Sequence, residues 1–261
     1  MAERWGRIVA PLVLGLLALG LWEGLVQAFG IKSYLLPGPI LIVKTLVTDW
    51  NTLMESWWIT MSISLAALTV AVVLGVVLAV LFASSKWIEA SFFPYAVILQ
   101  VTPIVAIAPL IIIWVDDVKL SLLICAWIVA FFPILSNTTV GLNSADHNLV
   151  DLFRLYRARW WQTLLHLKLP AAMPYFLAGL RISGGLSLIG AVVAEFVAGT
   201  GGTSSGLAYR ILESGYQLRI PRMFAALLLI SVSGILLFLA LSLLSHLCLR
   251  RWHESAVKRE G

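Results

Sequence analysis

The chain has 261 residues, of which 61% are hydrophobic and 12% are charged, and its formal net charge is +5. Soluble domains carry about 25% charged residues, so this composition excludes an ordinary soluble protein. The positive charge does not indicate nucleic-acid binding, because no basic stripe is interleaved with aromatic residues.

Six apolar blocks are long enough to cross a membrane. A hydrocarbon core of about 30 Å needs about 20 consecutive apolar residues in a helix. One such run could be the core of a soluble protein, but six could not. The blocks lie at about residues 8–30, 57–83, 90–114, 118–140, 172–197 and 222–249. The sequence therefore predicts an all-α polytopic membrane protein, with residues 1–261 forming a single transmembrane domain.

The first block begins like a secretory signal, with the basic start MAERWGR. Its apolar run continues past the length of a signal core, so we expect an uncleaved first helix. With the N-terminus in the cytoplasm, the inner-side segments hold eleven Lys and Arg residues and the outer-side segments hold six. The positive-inside rule therefore predicts that both termini are cytoplasmic.

Prolines interrupt the third and fourth blocks, at Pro94, Pro103, Pro109 and Pro133. Proline removes a backbone donor, and in lipid the freed carbonyl must find another partner. Polar side chains close to these prolines are therefore candidates to line a transport pathway. They are Gln100, Thr102, Asn137, Thr138 and Thr139. The alternative is that short polar groups bond back to their own helix.

The longest polar interruption runs from Asn143 to Pro170. From Leu149, apolar residues recur with helical spacing, and Ser144 or Asp146 can cap the helix start. Pro170 is expected to end the helical segment of the insert before the fifth block begins. An amphipathic, cationic segment with tryptophans could lie on anionic lipid headgroups or could dock another protein. The periodicity alone does not distinguish between these two interpretations.

The fifth block carries small residues at every fourth position. They are Gly179, Ser183, Ser187 and Ala191. This spacing predicts close packing of helix backbones. Arg181 lies deep in the block, where it could snorkel inward or pair with a buried carboxylate. Glu195 lies near the outer end, either as part of an outer gate or as a solvated interfacial group.

No catalytic or metal-binding constellation stands out in the sequence. The stretch Gly201–Gly206 has the glycine spacing of a phosphate loop but lacks the Lys and Ser/Thr that must follow it. We expect an external loop there, leading into a short amphipathic segment, LAYRILESGYQL. The four histidines lack metal-ligand spacing. The residues therefore give no indication of an enzyme.

Several motifs resemble those of a known family. The run LVDLFRLYRARWWQTLLHLKLPAAMPYFLAGLRIS is similar to the cytoplasmic signature of binding-protein-dependent ATP-binding cassette importer permeases. Asp151 matches the acidic position of that signature, and Leu169-Pro170 matches its Leu-Pro. Other motifs, spread over nearly the whole chain, resemble the nitrate/sulfonate/taurine-type subfamily. They are LPGPI, QVTPIVAIAPLIIIW, FFPILSNTTVGL, AVVAEFVAG, SSGLAYRILE and PRMFAALLLI.

The resemblance implies six transmembrane helices of the type I (MetI-like) importer permease fold, with a cytoplasmic coupling helix between spans 4 and 5. ATPase subunits would dock on the coupling segment, residues 143–170, and would bind ATP and Mg themselves, so that this chain holds no cofactor. The docking residues implied are Asp151, Phe153, Arg154, Arg157, Ala158, Trp160, Trp161 and Gln162. Other implied partners are a second permease copy in a homodimer, a periplasmic binding protein and the lipid of a bacterial inner membrane.

The family's glycine falls at Arg157 in this chain, and its small residue falls at Phe153. Because arginine makes a left-handed turn costly, we expect the helix to continue, or the turn to shift towards Ala158. Family members carry small anions and heterocycles, and we expect a sulfonate- or nitrate-like anion, with a pyrimidine-type vitamin precursor as the alternative. An ion-coupled secondary transporter is the competing class, but its usual inverted repeats are not evident.

Overall fold

The structure is a computed structural model that describes residues 2–199 and 205–250. In these ranges the secondary structure is helical, and a π-helical turn, Leu164–Lys168, lies between α8 and α9. The α-helices are α1 (Ala2–Ala28), α2 (Pro39–Thr48), α3 (Trp50–Ser84), α4 (Lys86–Val101), α5 (Ile104–Trp114), α6 (Val118–Asn143), α7 (His147–Leu155), α8 (Trp160–Thr163), α9 (Leu169–Ala198), α10 (Leu207–Tyr216) and α11 (Ile220–Leu249). Residues 201–204 of the expected external loop and the basic C-terminal residues 251–261 lie outside the described ranges.

The described residues contain four helical segments that are long and apolar enough to cross a membrane. They are Trp50–Ser84, Val118–Asn143, Trp160–Ala198 and Ile220–Leu249. The pair α4 and α5 makes a fifth if it counts as one broken span. The first predicted span, 8–30, overlaps α1, whose first residues lie outside the stretch counted here, Val13–Ala28. The count of six spans therefore stays a prediction.

The third predicted span is broken rather than only kinked. The axes of α4 and α5 differ by 101° across a gap that contains Thr102 and Pro103. Thr102 has φ −68° and ψ 123°, an extended conformation. The residue before a proline is pushed out of the helical region by contact with the proline ring, which explains why the helix ends at this residue. Pro94 and Pro109, in contrast, lie inside α4 and α5.

Of the described residues, 2–59, 199 and 205–231 belong to one compact unit. Its core contains Leu53 from α3 and Leu207 from α10, and the ring centroids of Trp22 and Phe224 lie 6.2 Å apart. In α10, Leu207, Ala208 and Ile211 are buried while Tyr216 is exposed, as expected for an amphipathic segment.

Residues 60–198 and 232–250 belong to the second unit. Its interior confirms the packing predicted for the fifth block. A Cβ atom on Gly179 would lie 2.7 Å from the carbonyl oxygen of Pro133 in α6, so only glycine permits this approach. Four residues later, the hydroxyl of Ser183 donates to the carbonyl of Ala130, at 2.6 Å. Small side chains thus bring the backbones of α6 and α9 together, as expected for helices in lipid.

Candidate functional site

The polar insert folds as two short helices, α7 and α8, joined by a tight turn. Asp146 caps the start of α7, where its Oδ1 accepts a hydrogen bond from the backbone N–H of Asn148 at 2.8 Å. The insert therefore begins as the sequence predicted. The predicted helical periodicity, however, continues past Leu155, where α7 ends.

The turn occurs at Arg157 itself, which has a φ of 53°. The N–H of Ala158 donates to the carbonyl of Phe153, and the N–H of Arg157 donates to the carbonyl of Arg154, both at 2.9 Å. These two bonds define a Schellman motif, whose left-handed position is usually glycine. The expectation that the helix continues, or that the turn shifts towards Ala158, is therefore wrong. The closing hydrogen bonds hold arginine in a left-handed conformation that glycine adopts more readily.

After the turn, the chain restarts as a helix at Trp160. The side-chain Oε1 of Gln162 accepts a hydrogen bond from the N–H of Arg159 at 2.7 Å, which fixes the first turn of α8. A π-helical turn follows, in which the N–H of Leu169 donates to the carbonyl of Leu164, five residues earlier. Pro170 has no N–H and its ring crowds the carbonyl four residues before it, so a regular α-helical ladder is interrupted at this point.

Most side chains of α7 and α8 are exposed. Leu155 and Tyr156, beside the turn, are 81% and 80% exposed. Asp151 and Arg154 form an exposed ion pair of 3.2 Å. Such surface pairs contribute at most about 1 kcal/mol to folding stability, so this pair does not explain why an acidic residue lies at position 151. The turn borders a groove of about 560 Å³ lined by Leu152, Phe153, Tyr156, Arg157, Ala158, Arg159, Gln162 and His166. Four of the eight predicted docking residues thus line one concave surface.

The insert is anchored to the membrane-spanning core by Leu164, in the π-turn. This side chain is buried in a cluster with Phe82 of α3, Phe131 of α6 and Ala172 of α9. Trp160 and Trp161, only a few residues earlier, are about half exposed. The insert is therefore anchored to the core beside an exposed aromatic surface.

The predicted pathway residues do not form one cluster. Gln100 and Thr102 line a cavity of about 320 Å³ at the break between α4 and α5. Asn137 donates to the carbonyl of Pro133 at 2.8 Å, which is the bond back to its own helix that the alternative interpretation expected. Thr138 is buried, and within the described ranges its hydroxyl has no hydrogen-bond partner.

Glu195 is buried, with only 3% of its surface exposed. Its carboxylate accepts a hydrogen bond of 2.8 Å from the hydroxyl of Thr60 in α3. The interpretation of Glu195 as a solvated interfacial group is therefore wrong. Arg181 is partly buried, and in the described part of the chain it forms no ion pair, so the proposed pairing with a buried carboxylate is absent there.

A family model described as "Binding-protein-dependent transport system inner membrane component" matches residues 71–250, which include the whole insert. The chain belongs to this family. The formylaminopyrimidine transport permease protein ThiX of Halalkalibacterium halodurans is 32% identical over 95% of this chain and 97% of its own length. The aliphatic sulfonates transport permease protein SsuC of Bacillus subtilis is 29% identical over 85% of this chain and 80% of its own length.

A solved structure of an amino acid ABC transporter with histidines is similar in fold. Its TM-score is 0.63 at 17% identity, and the match covers 79% of this chain and 97% of the solved chain. With the family match, this places the chain among the membrane permease subunits of ABC importers, as the resemblance implied.

Sequence reasoning missed a buried polar seam in this permease. Thr60 and Ser64 of α3 are both fully buried, and the hydroxyl of Ser64 lies 3.0 Å from that of Ser187 in α9. Together with the bond between Thr60 and Glu195, this places two polar contacts between the same helices. The signal was present, because Thr60 and Ser64 are spaced by four residues and share one helix face.

Proposed function

We propose that this permease forms the substrate pathway of an importer that is driven by separate ATPase subunits, which dock on α7 and α8. The observation that carries the proposal is the groove at the Arg157 turn, with exposed aromatic and apolar side chains beside it. Such side chains at a concave surface are typical of protein–protein contacts. The family match over residues 71–250 favours docking over the alternative of a helix lying on lipid headgroups.

In this proposal, ATP and Mg are bound by the partner ATPase, and closure of the ATPase subunits moves α7 and α8. Leu164 ties the moving segment to the core of the second unit, and α9 follows the π-turn directly. A displacement of the docking helices is therefore passed to a helix that packs closely on α6. This is a rigid-body transition of the kind that switches a transport pathway between its two sides.

We further propose the assembly that the sequence resemblance implied. Two copies of the chain form a homodimer in the bacterial inner membrane, with both termini in the cytoplasm. A periplasmic binding protein delivers the substrate to the outer surface. The substrate is a small polar solute of one of the two classes for which the relatives are named, a sulfonate-like anion or a pyrimidine-type heterocycle.

The docking assignment is tested by reconstituting the full-length chain with its ATPase subunits and measuring the ATP hydrolysis that the binding protein stimulates. Asp151→Lys and Trp160→Ala are expected to release the ATPase or to abolish stimulation. Matched controls are Asp116→Lys and Trp114→Ala, which change an exposed acid and an exposed tryptophan outside the insert and are scored by retention of the ATPase subunits rather than by stimulation. Equal activity of the Asp151 and Trp160 variants and the unmodified chain would contradict the assignment.

The competing class, an ion-coupled secondary transporter, differs from an ATP-driven importer in its energy source. An ATP-driven importer in proteoliposomes is expected to lose uptake when ATP is omitted and to keep it when a protonophore is added. An ion-coupled secondary transporter shows the opposite dependence, so uptake that survives without ATP would rule out the proposed function.

A further inference from the structure

The cavity at the break between α4 and α5 has an unusual chemical lining for a membrane segment. It is an open cavity lined by the chain from Leu99 to Ile104, by Ile128, Val129 and Pro133 of α6, and by Leu186 of α9. Apart from the broken backbone, its polar groups are the side chains of Gln100 and Thr102. None of the lining residues is charged. The volume of about 320 Å³ lies at the lower end of the range for small-molecule sites, which is about 300–1,000 Å³.

The break leaves backbone groups without partners in the described structure. Both the N–H and the hydroxyl of Thr102 donate to the carbonyl of Ile98, at 3.0 and 2.7 Å. The next carbonyls, those of Leu99, Gln100 and Val101, accept no backbone hydrogen bond, because residue 103 is proline and α5 begins beyond the bend.

Beyond the bend, the N–H groups of Ile104 and Val105 donate no backbone hydrogen bond within the described ranges. In a membrane, irregular backbone of this kind is tolerated where protein covers it or where it lines a hydrated cavity. In the described structure, the residues that line the cavity therefore carry three carbonyl oxygens and one N–H group, that of Ile104, without a backbone partner, together with the side-chain amide of Gln100.

We propose that this cavity binds the transported molecule and that it selects a neutral nitrogen heterocycle. The ring edge of such a molecule carries N–H donors beside carbonyl or ring-nitrogen acceptors. The donors pair with the carbonyls of Leu99 to Val101, and the acceptors pair with the N–H of Ile104 and the amide of Gln100. The inference rests on the proposed function, since it places this ligand in the permease pathway.

An acceptor-only anion fits this lining poorly. The oxygens of nitrate or of an alkanesulfonate would face three carbonyl oxygens, which are also acceptors. No Lys or Arg lines the cavity to compensate for the loss of the ion's hydration. A single-ring heterocycle carries no charge to desolvate, and its donors and acceptors both find partners. The lining thus favours the heterocycle over the anion that the sequence led us to expect.

The test uses the full-length chain in lipid nanodiscs and ligand-observed saturation-transfer NMR, which detects weak binding. The probes are cytosine, a neutral heterocycle with donors and acceptors, and methanesulfonate, an acceptor-only anion with observable methyl protons. Cytosine is expected to bind saturably and methanesulfonate is not. Gln100→Leu, which removes the amide at similar size, is expected to raise the dissociation constant of cytosine about five- to tenfold, the effect of losing one hydrogen bond.

Two further variants secure the result. Ile104→Phe narrows the cavity without removing a polar side chain and is expected to weaken cytosine binding as well. The matched control is Gln217→Leu, which changes an exposed glutamine in the other compact unit and is expected to leave binding unchanged.

Absence of cytosine binding, binding that neither Gln100→Leu nor Ile104→Phe weakens, or tighter binding of methanesulfonate would each overturn the proposal. The binding assay needs no ATPase, so it is independent of the ATPase assay. If cytosine does not bind but the chain still binds its ATPase subunits and supports stimulated ATP hydrolysis, the ligand is rejected and the proposed function stands. Loss of the ATPase interaction would instead reject the proposed function.

Discussion

Replacing Arg157 with glycine is expected to tighten the turn between α7 and α8. Arginine in the left-handed conformation costs about 1–2 kcal/mol relative to a helical one. Glycine removes that strain, but its greater freedom in the open state offsets about 0.4–1 kcal/mol of the gain. The net stabilisation is about 1 kcal/mol, which corresponds to about a fivefold smaller population of the open turn.

Hydrogen exchange of the chain in nanodiscs, followed by mass spectrometry, measures this change directly. The informative amide is that of Ala158, which donates to Phe153 across the turn. In Arg157→Gly, peptides that cover residues 147–163 are expected to exchange about five times more slowly at this amide. Arg157→Ala separates backbone strain from side-chain effects, because alanine keeps the strain and is expected to give no such protection.

The chain provides a matched control at Leu218, which has a φ of 54°. There the N–H of Arg219 donates to the carbonyl of Ser214 at 2.8 Å, and α10 ends in the same motif. Leu218→Gly is expected to slow exchange at the end of α10 by a similar factor. If Arg157→Gly leaves exchange unchanged, or if Arg157→Ala protects the turn equally, the argument from backbone strain is refuted.

Three further changes test the packing and the coupling path. Gly179→Ala places a Cβ 2.7 Å from a backbone oxygen of α6 and is expected to cost about 1–3 kcal/mol of stability, seen as a lower melting temperature in detergent. Gly185→Ala is the control and is expected to leave the melting temperature unchanged, because no atom lies within 4 Å of its added Cβ. Thr60→Val removes a donor to buried Glu195 and is expected to cost about 1–3 kcal/mol in the same assay; a melting temperature equal to that of the unmodified chain would refute the importance of this bond. Pro170→Ala permits an α-helical ladder in place of the π-turn. It is expected to lower binding-protein-stimulated ATP hydrolysis while the ATPase stays bound. Full stimulation would argue against a role for the turn in coupling.

Much of the helical framework could be predicted from the sequence, because the length of an apolar run is a local property. The fourth predicted span, 118–140, differs by only three residues at one end from Val118–Asn143, and the sixth, 222–249, nearly coincides with Ile220–Leu249. The position of the insert was predicted for the same reason. Its docking role stays a prediction, since exposure of Trp160 and Tyr156 is compatible with any partner that covers them.

The predicted site was least accurate where a contact joins distant parts of the chain. Glu195 and Thr60 are separated by 135 residues, and only the register between α3 and α9 brings them together. Gln100 and Thr102 were correctly grouped as neighbours of a proline. The size of the bend, and therefore the cavity, depends on how α5 packs after the break, which proline chemistry alone does not fix.

The sequence by itself determined that this protein is a helical membrane protein with a polar insert, because hydrophobic length and periodicity act along the chain. The motifs around Asp151 and Pro170 were also sufficient to indicate its family. The tertiary structure decided the left-handed turn at Arg157, the burial of Glu195 and the 101° break. Each of these depends on partners supplied by packing: closing hydrogen bonds can hold a strained residue, and a neighbouring helix can bury a carboxylate that the sequence alone would place in water.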